Sequence, residues 1–322
     1  MKILKLSNDF TPIRKGIYFN IDTEDTTPTN LIVEIIDSST SEVIATQQLR
    51  EVTSAKVNIA PYLTKFEEHK PMQNFCTAIS SAPCAHYKVR VDGVESEEVM
   101  VSVNNVESEE TPTIISTMPN SRRISRGESD EVLIFSESGI DIEVEITADT
   151  GEVFNLEHRT TSGANILTIS TEDFGANTHT LEVVLYCDGE IFGSLHYQVS
   201  PPLKTATRLA WLSDKGSIER YSFPVSHKLN RSVERNTVLT TDGIQTSRCR
   251  TKEVLSLVSR FEPSATIAAL AQILSSTKVW REHCGKLERV KVETHTIEHN
   301  LFGEPDCAHI DICTLNEEER VW

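Results

Sequence analysis

One short motif has the residue types and the spacing of a zinc-peptidase signature. His295, Glu298 and His299 match H-x-x-E-H, in which the histidines hold the metal. That chemistry requires a helix, where residues four apart lie one above the other. The surrounding letters VKVETHTIEHNL alternate and are rich in β-branched residues, which predicts a strand. Because residues four apart on a strand are separated by about 13 Å, the sequence argues against a peptidase.

A looser set of metal-binding residue types lies near the end of the sequence. Its members are His283, Cys284, His299, Cys307, His309 and Cys313. The C-x-x-C spacing that usually marks a structural zinc site is missing, so we expect packed thiols and surface histidines, with no metal and no other cofactor. The 7 cysteines fit reduced thiols better than a disulfide framework, although Cys76 and Cys84 could bridge a loop.

The usual signatures of nucleophilic and nucleotide-dependent catalysis are missing from the sequence. It contains no G-x-S-x-G elbow, no G-x-x-x-x-G-K phosphate loop and no G-x-G-x-x-G fingerprint. Carboxylates are so numerous that the sequence does not single out a catalytic pair. We therefore predict a protein that is not an enzyme and has no catalytic residues.

Aromatic residues mark one β-hairpin, TRLAWLSDKGSIERYSFPV. Trp211, Tyr221 and Phe223 are predicted to face the core of a domain, since cross-strand aromatic pairs usually pack inside. The alternative is an exposed platform for a glycan or a protein.

The balance of charge limits the partners that the chain can bind. It has 31 Lys and Arg against 48 Asp and Glu, a net charge of -17, which disfavours sequence-independent binding to nucleic acid and to anionic membranes. No window approaches the roughly 20 apolar residues of a membrane span. The first residues, MKILKLSND, lack the apolar core of a signal peptide, so we expect synthesis in the cytoplasm.

Alternation and turn signals divide the chain into three modules. The pattern of short strands predicts an immunoglobulin-like β-sandwich for residues 1–106 and a second one for residues 113–200. The acidic segment 107–112 is the expected linker. Asp92-Gly93 and Asp188-Gly189, both typical of tight hairpin turns, are 96 residues apart, which indicates a tandem repeat of one fold. The immunoglobulin disulfide pattern is absent.

The third module, residues 203–322, has the pattern of a small α+β domain. Strands are expected at 232–239, 253–261, 290–301 and 308–315, with a turn at Asp242-Gly243. The segment PSATIAALAQILSS has helical spacing and Ser264 as its expected N-cap. A helix this short must dock on the sheet.

Several segments resemble structural proteins of tailed phages and prophages of Bacteroidetes-type gut bacteria. They are NLIVEIID at 30–37, VTSAKVNIAPYL at 52–63, residues 209–224, and LSLVSRFEPSATIAALAQILSSTKVW at 255–280. The resemblance implies a virion component of the tail, neck or baseplate that forms a symmetric oligomer. It carries over no functional residues.

These observations together predict a structural protein that assembles with copies of itself and with other virion proteins. Candidate contact segments are the N-terminal strand, the irregular stretch 61–83 and the C-terminal residues 317–322. The candidate interface residues are Tyr62, Phe66, Phe75, Trp280, Val321 and Trp322. The alternative is a receptor- or glycan-binding β-sandwich, which requires Trp211 or Tyr221 to be exposed.

Overall fold

The chain is mainly β, as its alternating pattern predicts. The computed structural model describes residues 1–63, 70–73, 76–82, 84–102, 112–203, 205–241, 243–283, 285–298, 305–314 and 319–321. Within these ranges it has several sheets and one α-helix, which confirms the predicted fold class. No helix in the described ranges is long and apolar enough to cross a membrane.

The first module is a sandwich of two antiparallel sheets. The strands up to residue 102 are β1 Lys2–Lys5, β2 Tyr18–Asp22, β3 Thr29–Asp37, β4 Glu42–Val52, β5 Ser54–Asn58, β6 Ala78–Ser81, β7 Cys84–Val91, β8 Val94–Glu95 and β9 Val99–Ser102. One sheet has the order β1-β2-β5, and the other has β4-β3-β7 with β8 and β9 both paired to β7. Alternate side chains of both sheets, among them Phe19, Val33 and Val89, form one buried core.

The second module is a sandwich of the same kind. Its strands are β10 Thr113–Ile115, β11 Ser121–Ser125, β12 Ser129–Ser136, β13 Asp141–Ala148, β14 Val153–Arg159, β15 Gly163–Ser170, β16 Thr180–Cys187 and β17 Glu190–Ser200. The sheet β10-β12-β15 faces the sheet β11-β17-β16-β13-β14, in which β11 runs parallel to β17. Strands β13 and β16 bury every second residue, as one-sided packing requires.

The two predicted Asp-Gly turns have the same backbone conformation. Asp92 and Asp188 have φ of 48° and 51°, and the glycines after them have φ of 82° and 79°. Positive φ at both central positions matches the right-handed twist of the flanking strands. The turns connect β7 to β8 and β16 to β17.

The two sandwiches are joined by backbone pairing that the sequence does not predict. Strand β6 comes from the stretch 61–83, expected to be irregular, and it pairs with β15 of the second sandwich. The rings of Phe10 and Phe135 also meet edge to face at 5.7 Å. Gly163 has a φ of 97°, and a Cβ there would lie 3.0 Å from the Phe10 ring, so this contact requires glycine.

The remaining strands form one large antiparallel sheet. They are β18 Thr207–Leu212, β19 Ile218–Phe223, β20 Val225–Thr240, β21 Gly243–Val258, β22 Val279–His283, β23 Lys286–Val292, β24 His309–Thr314 and β25 Glu319–Val321. The order is β19-β18-β22-β23-β24-β21-β20, and β25 pairs with β21. Helix α1, Ser264–Ser275, docks on this sheet as predicted, with Ile267, Leu270 and Ile273 buried against Trp211 and Phe223.

Three details of the third module differ from the sequence prediction. The sheet has eight strands within the described ranges and is not small. Ser264 is the first helical residue, and Pro263 occupies the cap position with a φ of -58°, which suits the start of a helix. The strand predicted at 290–301 ends at Val292; residues 293–298 are irregular, and 299–304 lie outside the described residues.

The packing of α1 gives a direct test of the C-terminal core. Ile273→Ala is expected to lower the free energy of unfolding by about 2–5 kcal/mol, because it leaves a cavity between helix and sheet. Ile191→Ala, at a side chain that is 62% exposed, is the matched control and should cost less than about 1 kcal/mol. Urea denaturation followed by tryptophan fluorescence measures both. Equal losses would contradict the assignment of Ile273 to the core.

Candidate functional site

The β18–β19 hairpin has two buried faces with different chemistry. Trp211 and Phe223 are 0% exposed and pack under α1, so the aromatic set belongs to the core as predicted. The opposite face carries Arg208 and Arg220, which lie against the second sandwich and are also buried. The hairpin therefore joins two modules.

The first group of buried charges at this joint surrounds Arg122 of β11. Its Nη1 lies 3.0 Å from Asp130 Oδ2 and 3.9 Å from Glu219 Oε2. Glu219, only 1% exposed, accepts hydrogen bonds from Ser116 Oγ at 2.9 Å and from the Thr117 amide at 2.7 Å. Buried charges are stable only when they are paired and hydrogen-bonded in this way.

Tyr197 completes the Arg122 group. Its hydroxyl donates to Asp130 Oδ2 at 2.9 Å. Burial and the neighbouring Asp130 carboxylate raise the pKa of Tyr197 well above its ordinary value, so the phenol stays protonated as a donor.

The second group of buried charges surrounds the arginines of the hairpin. Arg220 contacts Glu131 Oε1 at 3.1 Å and Glu282 Oε1 at 2.7 Å, and it donates to the Met72 carbonyl at 2.8 Å. Arg208 Nη1 lies 2.9 Å from Glu128 Oε2. We call both groups together the charged joint. It connects the 70–73 segment, the second sandwich and the C-terminal sheet.

An open cleft of about 600 Å³ lies beside the charged joint. Its lining includes Met72, Glu128, Arg220, Glu282 and Leu287. Within the described residues, each of the lining glutamates Glu128 and Glu282 contacts a buried guanidinium group. These two carboxylates therefore hold modules together.

Glu131 behind this cleft has an unusual proton affinity. Burial raises its pKa to about 7, although Arg220 and the Met72 amide oppose the shift. The carboxyl group therefore changes its charge near neutral pH.

The most prominent surface feature is a long two-stranded ribbon. Strands β20 and β21 have 16 residues each and extend for about 50 Å. β20 is the edge strand, while β21 is paired on its other side with β24 at residues 254–258 and with β25 at residues 248–250. We call the ribbon from Lys228 to Glu253 the β-arm. Its first strand, β20, starts at Val225, two residues after β19 ends at Phe223.

The outer part of the β-arm is open to solvent where its side chains are described. Every side chain described between Lys228 and Ile244 is exposed. Leu239 and Ile244 lie directly opposite each other at the tip and are 83% and 75% exposed. An isolated two-stranded ribbon is marginal in water.

The sequence carries the signal for the β-arm, but the prediction used only half of it. A strand at 232–239 and a turn at Asp242-Gly243 are predicted, and Asp242 itself lies outside the described residues. The run GIQTSRCRTK after this turn is a strand as well. Two alternating runs around Asp-Gly are the usual pattern of a hairpin.

The predicted interface residues differ in how far the structure exposes them. Tyr62 is 36% exposed and is available for contact. Trp280 is only 6% exposed because it packs with Ala210 and Ile218 inside the C-terminal sheet, so its predicted position at a surface is corrected. The backbone of Val321 pairs with Arg248 in β21. Phe66, Phe75 and Trp322 lie outside the described residues.

The alternatives based on aromatic and metal-binding residues find no site in the described residues. Tyr221 is 6% exposed and its hydroxyl bonds Glu262, so neither it nor Trp211 forms a glycan platform. His295 and Glu298 lie in an irregular segment. The side chain of His283 lies outside the described part of the chain. Cys284 and His299 lie outside it entirely.

Five cysteines of the described part form no disulfide. They are Cys76, Cys84, Cys187, Cys307 and Cys313, and the predicted option of a Cys76–Cys84 bridge is not taken up. No three His, Cys, Asp or Glu side chains in the described ranges gather in a metal-binding arrangement.

The charged joint predicts a large difference between two arginines. Arg220→Met leaves Glu131 buried without its cation and is expected to cost about 3–5 kcal/mol of unfolding free energy. Arg159→Met removes an ion pair to Asp141 whose side chains are 69% and 74% exposed, and should cost less than about 1 kcal/mol. Urea denaturation of both variants measures the difference. Similar losses would show that the joint does not stabilise the fold.

Glu131 predicts a specific dependence of stability on pH. Its folded pKa of about 7 lies above the ordinary 4.5, so its stabilising contribution is complete below pH 4.5 and is lost as pH rises through 7. Relative to Glu131→Gln, the unchanged chain should lose up to about 3 kcal/mol between those pH values. Glu190→Gln, at an exposed carboxylate, is the control. Parallel curves for the unchanged chain and Glu131→Gln would contradict the assignment.

Comparison with known proteins gives no family match for the chain. No protein-family model matches it, and a search of curated proteins found no match. Among solved structures it is similar to the native alpha-2-macroglobulin of E. coli, with a TM-score of 0.21, 8% identity, and coverage of 95% of this chain and 25% of the other. Salmonella alpha-2-macroglobulin reacted with methylamine gives a TM-score of 0.21, 8% identity, and coverage of 94% and 26%. This chain spans about a quarter of those proteins, and likeness at this level carries no argument about function.

Proposed function

We propose that this chain is a structural subunit that assembles with copies of itself through the β-arm. The observation that carries the proposal is the long ribbon of β20 and β21, whose described side chains from Lys228 to Ile244 are all exposed and whose tip is apolar. Such a ribbon is only marginally stable alone, and a partner that covers it supplies the missing burial. Its function is mechanical contact between subunits.

The charged joint supports this proposal because it fixes the base of the β-arm. The hairpin β18–β19 is held against the second sandwich by buried ion pairs, and β20 starts directly after it. A projecting element can position a neighbouring subunit only if its own base is rigid. A chain organised in this way is suited to repeated contacts of one geometry.

The place of the assembly is proposed from the sequence resemblance to tailed-phage structural proteins. We place the chain in the tail, neck or baseplate of a virion, in a symmetric oligomer that also contacts other virion proteins. Repeated identical contacts between subunits produce closed rings or helical tubes, the forms from which such particles are built. The proposal includes no catalytic step, cofactor or membrane contact.

Shortening the β-arm tests the proposed function. Removal of residues 238–245 and closure of Thr237 to Thr246 by Asn-Gly retains the strand register and the pairing of β21 with β25. We expect the unchanged chain to sediment as an oligomer and the shortened chain as a folded monomer. A monomeric unchanged chain at all concentrations reached would contradict the proposal.

Point substitutions at the tip separate contact from folding. Leu239→Ser combined with Ile244→Ser should weaken association by about tenfold or more, because both side chains become buried in the contact. Ile32→Ser, at a side chain of the first sandwich that is 53% exposed, is the control and should leave the oligomer unchanged. Sedimentation velocity over a dilution series measures all three chains. Equal weakening in both variants would argue against the tip as a contact.

The proposed virion has its own test in the genome. Genes for portal, capsid or tail proteins beside this gene are expected. A polysaccharide-utilisation locus in their place would favour the receptor- or glycan-binding alternative.

A further inference from the structure

The β-arm differs in charge from the rest of the chain. Between Lys228 and Glu253 it has six Lys and Arg residues against three Asp and Glu, a net charge of +3. The whole chain carries -17, so the remainder carries -20. Lys228 and Arg235 of β20 have exposed side chains. A basic arm on an acidic protein favours an acidic partner, and another copy of the same chain is one.

One sheet of the second sandwich presents a surface of opposite charge. Strands β13, β14 and β16 turn alternate side chains outward, and carboxylates stand at four of these exposed positions. They are Glu143, Glu145, Glu157 and Glu182. Within the described part of the chain none of the four forms an ion pair, whereas Asp141 on the same face is paired with Arg159. We call this surface the acidic face.

The acidic face stores an unfavourable contact that a cationic partner would relieve. Glu143 and Glu157 occupy directly opposite positions of the β13–β14 pair. Like charges opposite each other destabilise a sheet. The nearest cation on this face in the described chain, Arg159, is already paired with Asp141. A cation placed over the two carboxylates would remove the repulsion.

The apolar residues of the two surfaces also match. Val153 and Ile191, at the borders of the acidic face, are 54% and 62% exposed. They correspond to the exposed aliphatic side chains of the β-arm, such as Val233 and Leu239. Both surfaces therefore combine aliphatic contacts with charges, and the charges have opposite signs.

We infer that the β-arm of one copy docks on the acidic face of the next copy. The inference rests on the proposed function and adds the receiving surface. Because the arm and the face are different parts of the same chain, the contact is heterologous, and its repetition closes a ring or extends a helix. Salt should weaken it, since exposed charges are screened.

A complementation experiment tests the inference with two variants. The first carries Lys228→Glu, Arg235→Glu, Leu239→Ser and Ile244→Ser, which removes exposed cations and the apolar tip of the arm and leaves the acidic face intact. The second carries Glu143→Lys, Glu145→Lys and Glu157→Lys, which has the arm without the face. Each is expected to be monomeric alone, and their mixture should give a complex of one copy of each, because only one productive contact remains. Analytical ultracentrifugation distinguishes these species.

Three further results decide between explanations. Glu42→Lys, Glu97→Lys and Glu137→Lys change the charge equally at exposed positions elsewhere and should leave assembly intact. If the face variant assembles as well as the unchanged chain, the arm uses another surface, and the inference fails while the proposed function stands. If the unchanged chain itself is monomeric, the proposed function fails. Circular dichroism confirms that each variant is folded.

Discussion

The structure depends on the buried ion pairs between the β18–β19 hairpin and the second sandwich. Arg122, Arg208 and Arg220 are all at most 8% exposed, and each contacts at least one carboxylate. Breaking one partner of such a pair leaves a buried charge, so a poorly docked arrangement is strongly disfavoured. The same hairpin buries Trp211 and Phe223 on its other face. The hairpin thus takes part both in the apolar core under α1 and in the buried ion pairs.

The charged joint fixes the position from which the β-arm projects. A long ribbon on a loosely tethered domain would sample many directions, whereas this one starts at a hairpin fixed by ion pairs. The arm has little burial of its own, and the acidic face has carboxylates that lack cations within the described chain. Each surface lacks what the other supplies. The proposed assembly would satisfy both.

Local pattern predicts most of the secondary structure and little of the joint. Alternation and the Asp-Gly turns place the sandwich strands, and helical spacing places α1, because these signals lie within a few residues of each other. Local pattern does not predict the contacts of the joint, because they join residues far apart in sequence. Arg220 contacts Glu131 and Met72, which are 89 and 148 positions away. An arginine that alternates with apolar residues looks like a solvent-facing residue. For the same reason the burial of Trp280 and the pairing of β6 with β15 are missed.

Hydrogen exchange of the β-arm amides tests the central claim most directly. The backbone hydrogen bonds of a ribbon with both faces in water open easily, while those of a covered ribbon are protected. Residues 229–240 should exchange fast in dilute protein, and their protection should rise by about tenfold or more as the chain assembles. The sandwich strands, already covered, should not change. Equal exchange of the arm at all concentrations would contradict the account.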